Sequence, residues 1–238
     1  MSRRDDLAAG LAEVEERLVR ACEAAGRDRS DVTLVVVTKT YPASDVVLLA
    51  ELGVRDVGEN RHPEAGRKRE EVLAAGHELR WHFVGALQSK KASAVGAYAD
   101  VVHSLDREKL VAGLSNGAHR AGRDLEVLVQ VSLDDPDDEH AAAERAGAAP
   151  GDVPALAAAV AAADGLVLRG VMGVAPLDAD PAPAFAALAE VSARVRADHP
   201  AATVVSAGMS GDLEQAVASG ATHVRVGRAV LGERAPTR

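Results

Sequence analysis

With 238 residues, 27 basic against 36 acidic side chains and a formal charge of −9, the chain is long enough to bury a large core. Its acidity argues against a general binder of nucleic acid or of anionic membranes. Cys22 is the lone cysteine, no apolar run approaches the roughly 20 residues that span a bilayer, and the amphipathic opening "MSRRDDLAAGLAEVEERL" does not read as a leader. The expectation is a cytoplasmic protein that meets neither nucleic acid nor membrane.

In chain order, Leu7, Leu11, Val14, Leu18, Cys22 and Ala25 recur at helical spacing up to Gly26, which predicts an opening helix with a glycine stop. Short β-branched runs then alternate with helical patterns. The runs are "VTLVVVTK", "VRDVGEN", "WHFVGAL", "DVVHSL", "LEVLVQVSL", "LVLRGVMGV", "TVVSAGMS" and "THVRVGRAV". The helical segments between them include "ASDVVLLAELG", "HPEAGRKREEVLAAG", "DREKLVAGLSNGAHRAG", "VPALAAAVAAADG", "PAPAFAALAEVSARVRADHP" and "GDLEQAVASG". Alternation over eight units predicts an α/β fold, a closed (β/α)8 TIM-like barrel, over an open doubly wound sheet. The open sheet is weakened further because no G-x-G-x-x-G follows the first strand. Residues 1–238 are read as one domain, its added N-terminal helix covering the barrel or lying beside it. Ser132 to Asp152, "SLDDPDDEHAAAERAGAAPGD", reads as an extended loop after the fifth strand.

Function in such a barrel gathers where strands end on the C-terminal face. Lys39 ends the first strand, Glu59 and Asn60 end the second, His82 and His103 lie in the third and fourth, and Met172 closes the sixth. The seventh and eighth supply Ser206, Met209, Ser210, Arg225 and Gly227. Taken singly, each has an ordinary role: a lysine reaching water, a hydrogen-bonded core histidine, a packing methionine, a helix cap or a turn glycine. Two Gly/Ser turns from consecutive units, however, bring backbone N–H groups to the place where barrels commonly bind phosphate. Across the barrel mouth stands Lys39, expected to be partly desolvated by Val37 and its neighbours, which favours its neutral amine. An amine facing an anion cup suits an aldehyde that carries a phosphate. Pyridoxal phosphate meets that description, and so does a sugar phosphate in a Schiff-base aldolase. The eight histidines show no metal-ligand spacing, no serine elbow is present, and the few aromatics leave no platform for stacking bases.

The segments "VVVTKTYP", "VGEN", "WHFVGALQSKK", "GVMGVAPL" and "SAGMSGDLEQAVASGATHVRVGRAVLGER", in that order and over nearly the whole chain, resemble the pyridoxal phosphate homeostasis protein family. The resemblance implies a barrel of the alanine racemase N-terminal-domain type that holds pyridoxal 5′-phosphate as a Schiff base on Lys39. It implies a role in vitamin B6 homeostasis without robust turnover, with apo-enzymes that use the cofactor as its recipients; the chain is read as a monomer. Carried over by position, Asn60 lies near the cofactor ring, the Ser210 and Gly227 turns hold the phosphate, Arg225 faces the pyridine nitrogen, and Ser206 and Met209 complete the contacts. Arg61, Pro63 and Ala207 depart from the family's usual residues. The rival is an amino-acid racemase of the same barrel type. Such an enzyme, by resemblance, has a second β domain, for which a chain ending roughly ten residues past its eighth strand leaves no room, and a tyrosine base, for which only Tyr41 and Tyr98 are available. A pure interaction module would leave the lysine and the anion turns unexplained.

Overall fold

The computed structural model describes residues 2–133, 147–176 and 179–232. In chain order they form α1 (Arg3–Ala24), β1 (Thr33–Val37), α2 (Ala43–Glu51), β2 (Asp56–Glu59), α3 (Glu64–Ala74), β3 (Arg80–Phe83), α4 (Ser89–Tyr98), β4 (Val101–Leu105) and α5 (Val111–Ala121). They continue with β5 (Leu125–Gln130), α6 (Val153–Ala162), β6 (Leu166–Met172), α7 (Pro181–Asp198), β7 (Val204–Ser206), α8 (Leu213–Ala218), β8 (His223–Val226) and α9 (Arg228–Leu231). Each strand pairs in parallel with the next and β8 returns to β1, closing the (β/α)8 barrel that the alternation predicts. The closing register sets Val35 against Arg225 and Val36 against Val226.

The opening helix starts on a reciprocal cap, in which Asp5 N–H donates to Ser2 Oγ at 3.3 Å and Ser2 N–H to Asp5 Oδ2 at 2.9 Å. It lies beside the barrel. Leu7, Val14, Leu18 and Cys22 are buried in one cluster with Val217 of α8 and Val230 and Leu231 of α9.

Strand residues alternate between two environments, as a pleated strand requires. Val36, Val57, Trp81, Val224 and Val226 pack outward among the helices. Inside, the apolar filling is a small cluster of Val101, Leu128 and Met172. Polar side chains occupy much of the rest: His103 of β4 bonds Ser206 of β7, and strands that are not neighbours in the barrel meet only across its interior.

The extended loop expected at Ser132 to Asp152 falls largely outside the described residues. At its edges Val131 bridges Ala148 in parallel, and α6 begins at Val153. Two helices carry no clear sequence pattern. α9 has four residues, too few for periodicity, and α4 buries only Ala92, Val95 and Gly96. α4 docks on α5 through glycines: a Cβ at Gly117 would stand 2.4 Å from the Ser93 carbonyl oxygen, and one at Gly96 2.6 Å from that of Leu114.

Gly117→Ala separates propensity from packing. Alanine gains about 1 kcal/mol in a helix interior, whereas pressing a methyl against an unyielding carbonyl costs about 1–3 kcal/mol. The net expectation is a loss of about 1 kcal/mol, read as a lower urea midpoint with an unchanged slope. A raised midpoint would show that the two helices do not touch there.

Candidate functional site

A cavity of about 880 Å³ opens where the strands end, lined among others by Lys39, Tyr41, Asn60, Met172, Met209, Ser210, Asp212, Arg225, Gly227 and Arg228. It gathers Lys39, Asn60, Met209, Ser210, Arg225 and Gly227 from β1, β2, β7 and β8. Ser206 is not part of the wall. It is fully buried at the end of β7, with its hydroxyl taken up by protein partners, Arg225 Nη1 at 2.6 Å and His103 Nδ1 at 2.9 Å. Arg61, Pro63 and Ala207 also lie outside the lining.

Lys39 sits two residues past the end of β1 and is exposed, so Val37 does not cover it as the sequence suggested. Its ammonium has no hydrogen-bond or ion-pair partner among the described residues. The backbone beneath it is held firmly. Thr40 takes φ 70°, the left-handed region that a β-branched residue avoids, and its N–H donates to Glu64 Oε1 at 3.2 Å. Below, Lys68 Nζ donates to Thr38 O at 3.0 Å and pairs with Glu59 Oε1 at 2.5 Å, while Thr38 Oγ1 donates to the same carboxylate at 2.7 Å. Both charged side chains are nearly inaccessible, at 6% for Lys68 and 2% for Glu59. Burial pushes the Glu59 carboxyl above its ordinary range, against the pull of Lys68 and Thr38. One node thus joins the ends of β1 and β2 to α3. Lys68 was not singled out from sequence, but the signal was present: Ala65, Lys68 and Val72 form the buried stripe of α3 at i, i+3 and i+7.

The turn after β7 requires Gly208, whose φ is +89° and whose Cβ would stand 2.6 Å from Ala216 Cβ of α8. Met209 N–H donates to Asp212 Oδ1 at 2.5 Å, while the N–H groups of Ser210, Gly211 and Gly227 meet no acceptor among the described residues. Arg17 of α1 fixes this turn by donating to Ser210 O at 3.0 Å and pairing with Glu214 at 2.8 Å. Arg228 places an exposed guanidinium on the same wall. Asn60 Oδ1 is buried without a hydrogen-bond partner among the described residues. Free donors on two turns, an unpaired amine and a fixed arginine suit an anionic compound that bears a carbonyl. These groups fit pyridoxal phosphate.

Arg225 is buried, with Nη2 donating to Gly173 O at 2.9 Å. Burial pushes it down to about 10, partly opposed by Asp212, so it remains a cation at neutral pH. Behind it run His103, His82 and Asp56, the two rings 2.8 Å apart at His103 Nε2 and His82 Nδ1, and His82 Nε2 2.9 Å from Asp56 Oδ1. His223 lies beside them, its ring 6.2 Å from that of His82. Burial pushes His223 down to about 4 and holds His103 well below the ordinary histidine value.

Residues 11–235 match the family model described as "Alanine racemase, N-terminal domain", which makes the chain a barrel of that class. It is 44% identical to the pyridoxal phosphate homeostasis protein of Mycobacterium tuberculosis, over 98% of this chain and 94% of the relative, and 32% identical to that of Escherichia coli over 97% of each. The chain belongs to the pyridoxal phosphate homeostasis protein family. Among solved structures it is similar to PipY of Synechococcus elongatus with PLP bound, with a TM-score of 0.80 and 32% identity over 95% of this chain and all of that one. Alanine racemase from Corynebacterium glutamicum, at 14% identity and a TM-score of 0.68 over 99% of this chain and 64% of that one, shares the fold.

Two measurements probe the site's foundations. Lys68→Met leaves Glu59 buried without its cation, and breaking such a pair costs about 3–5 kcal/mol; urea unfolding should show that loss, and a change no larger than at a surface lysine would contradict the node. The second concerns pH. Because His223 and His103 have depressed folded values, their contribution is fully present above the unfolded value of 6.5 and is lost as pH falls toward 4. His223 alone accounts for about 3 kcal/mol of that loss. Urea midpoints should fall steadily between pH 7 and pH 4.5, and less steeply in His223→Asn. A flat profile would contradict neutral buried imidazoles.

Proposed function

We propose that this chain binds pyridoxal 5′-phosphate in the barrel cavity and serves vitamin B6 homeostasis in the cytoplasm, holding the cofactor for delivery to apo-enzymes. One observation carries the reading. An exposed, unpartnered Lys39 shares a cavity with the free N–H groups of two turns and a buried Arg225, in a chain related over nearly its whole length to a protein whose structure holds PLP.

When bound, pyridoxal phosphate supplies an aldehyde that condenses reversibly with a primary amine. Lys39 would provide that amine, and its exposure leaves the site open to water, as a reversible holder requires. The N–H groups of Ser210, Gly211 and Gly227 bind the phosphate, with Arg228 adding a cation. Asn60, in the cavity wall, would lie near the ring. Arg225 offers only donors, so it disfavours a protonated ring nitrogen and weakens the ring as an electron sink.

Sustained turnover on amino acids also needs a placed base. Tyr41 reaches the cavity, but its hydroxyl donates to Gly232 O at 2.7 Å. The Tyr98 hydroxyl is buried away from the cavity, and burial holds it above the ordinary phenol range. Neither is poised as a base, which supports a carrier over a racemase. The protein is read as a monomer. Among the described residues no helix is long and apolar enough to cross a membrane.

Borohydride reduction of the loaded protein should fix a pyridoxyl-phosphate mass on the peptide containing Lys39, and Lys39→Ala should lose the visible absorption band. A label on Lys68, Lys90 or Lys91 instead would overturn the assignment. Racemisation, decarboxylation and transamination on an amino-acid panel should all run well below about one turnover per second. A sustained rate above that would favour the racemase reading.

A further inference from the structure

We propose that Asp56, His82, His103 and Ser206 form a one-directional hydrogen-bond relay that positions Arg225, so that the cavity cation is held from the opposite end of the barrel. This rests on the cofactor reading only for what Arg225 faces; the relay is a property of the chain itself.

The direction follows from its two ends. A guanidinium only donates, so Ser206 Oγ accepts from Arg225 Nη1 at 2.6 Å. The Ser206 hydrogen then has its partner in His103 Nδ1 at 2.9 Å, which must accept and so leaves the imidazole hydrogen on Nε2. His103 Nε2–H donates to His82 Nδ1 at 2.8 Å, and that ring in turn keeps its hydrogen on Nε2. His82 Nε2–H donates to Asp56 Oδ1 at 2.9 Å. A carboxylate only accepts, which fixes the same direction from the far side. Burial acts to raise the Asp56 carboxyl, but the His82 hydrogen bond and the Arg80 cation pull the other way, and the carboxyl lies below its ordinary value. One arrangement of hydrogens therefore satisfies every atom of the chain with both imidazoles neutral. The reverse arrangement would need an additional proton at the Asp56–His82 pair and would strip Ser206 of its acceptor.

The relay crosses the molecule. Asp56 opens β2 at the N-terminal end of the barrel with its side chain 20% exposed, His82 is in β3, His103 in β4, Ser206 ends β7 and Arg225 lies in β8. A hydroxyl that donates becomes a better acceptor, since linked hydrogen bonds polarise one another in a low-dielectric interior. Asp56 thereby strengthens the bond that, with Gly173 O, orients the guanidinium. Asp56, His82, His103 and Ser206 are positioning residues, none of them touching the cavity.

The test uses the full-length chain purified free of cofactor. Nitrogen-15 NMR of the parent should show His82 and His103 neutral near pH 7.5, both with hydrogen on Nε2, and slow hydrogen exchange at the Arg225 guanidinium. Asp56→Ala should mix the His82 tautomers and speed Arg225 exchange by about tenfold, the scale of one net hydrogen bond. Asp56→Asn, whose amide oxygen still accepts from His82, should keep the parent pattern. A parent with hydrogen on Nδ1 of either ring, or with either ring charged, overturns the relay even if Asp56→Ala fails to fold. Unchanged tautomers and exchange in Asp56→Ala also overturn it, as does Asp56→Asn behaving like Asp56→Ala. None of these readouts involves the cofactor, so failure of the relay and failure of borohydride labelling at Lys39 are separate results.

Discussion

Closure of β1 onto β8 is the constraint from which the site follows. The pairing of Val36 with Val226 sets the chain after the first strand beside the chain after the last. Lys39 and Gly227, remote in sequence, thereby share one cavity wall. An open sheet built from the same strands would leave the Lys39 amine and the two glycine turns on opposite edges, unable to share one cavity. Once the barrel closes, parallel strands send every functional loop to the same face.

Holding that face in shape falls to charged groups that barrels of this size more often exclude from their cores. The Lys68–Glu59 pair is stabilising only relative to breaking it, because removing both charges from water is itself expensive. What it supplies is geometry: one ammonium grips the Thr38 carbonyl immediately before Lys39, so the backbone under the Lys39 amine is held while the amine itself remains open. A similar division holds across the barrel. Arg225 is immobilised by Ser206 and Gly173, whereas Arg228, three residues on, is exposed. Fixed groups frame the cavity, and exposed ones face its open space and the solvent.

The order of strands and helices was legible because each strand is a compact β-branched run and most helices carry an apolar stripe. Lys39 stood out for the opposite reason, a charge at the end of four apolar residues. α4 escaped because its buried face is made of alanine, valine and glycine, residues that pack well yet give hydropathy little to register. Lys68 drew no notice in a helix rich in charge, although its place on the stripe with Ala65 and Val72 marks it as buried. Ser206 was correctly placed at a strand end, but sequence could not show that its side chain turns inward to His103. Asp56 attracted no attention at all. An acid opening a strand is commonplace, and only the three-dimensional proximity of His82 gives it a role.

The most direct measurement is a crystal structure of the protein with pyridoxal 5′-phosphate. Continuous density should join Lys39 Nζ to the ring, with the phosphate on the N–H groups of Ser210, Gly211 and Gly227 and the pyridine nitrogen toward Arg225. Density joined to another lysine, or a phosphate bound away from the two turns, would contradict the site described for this barrel.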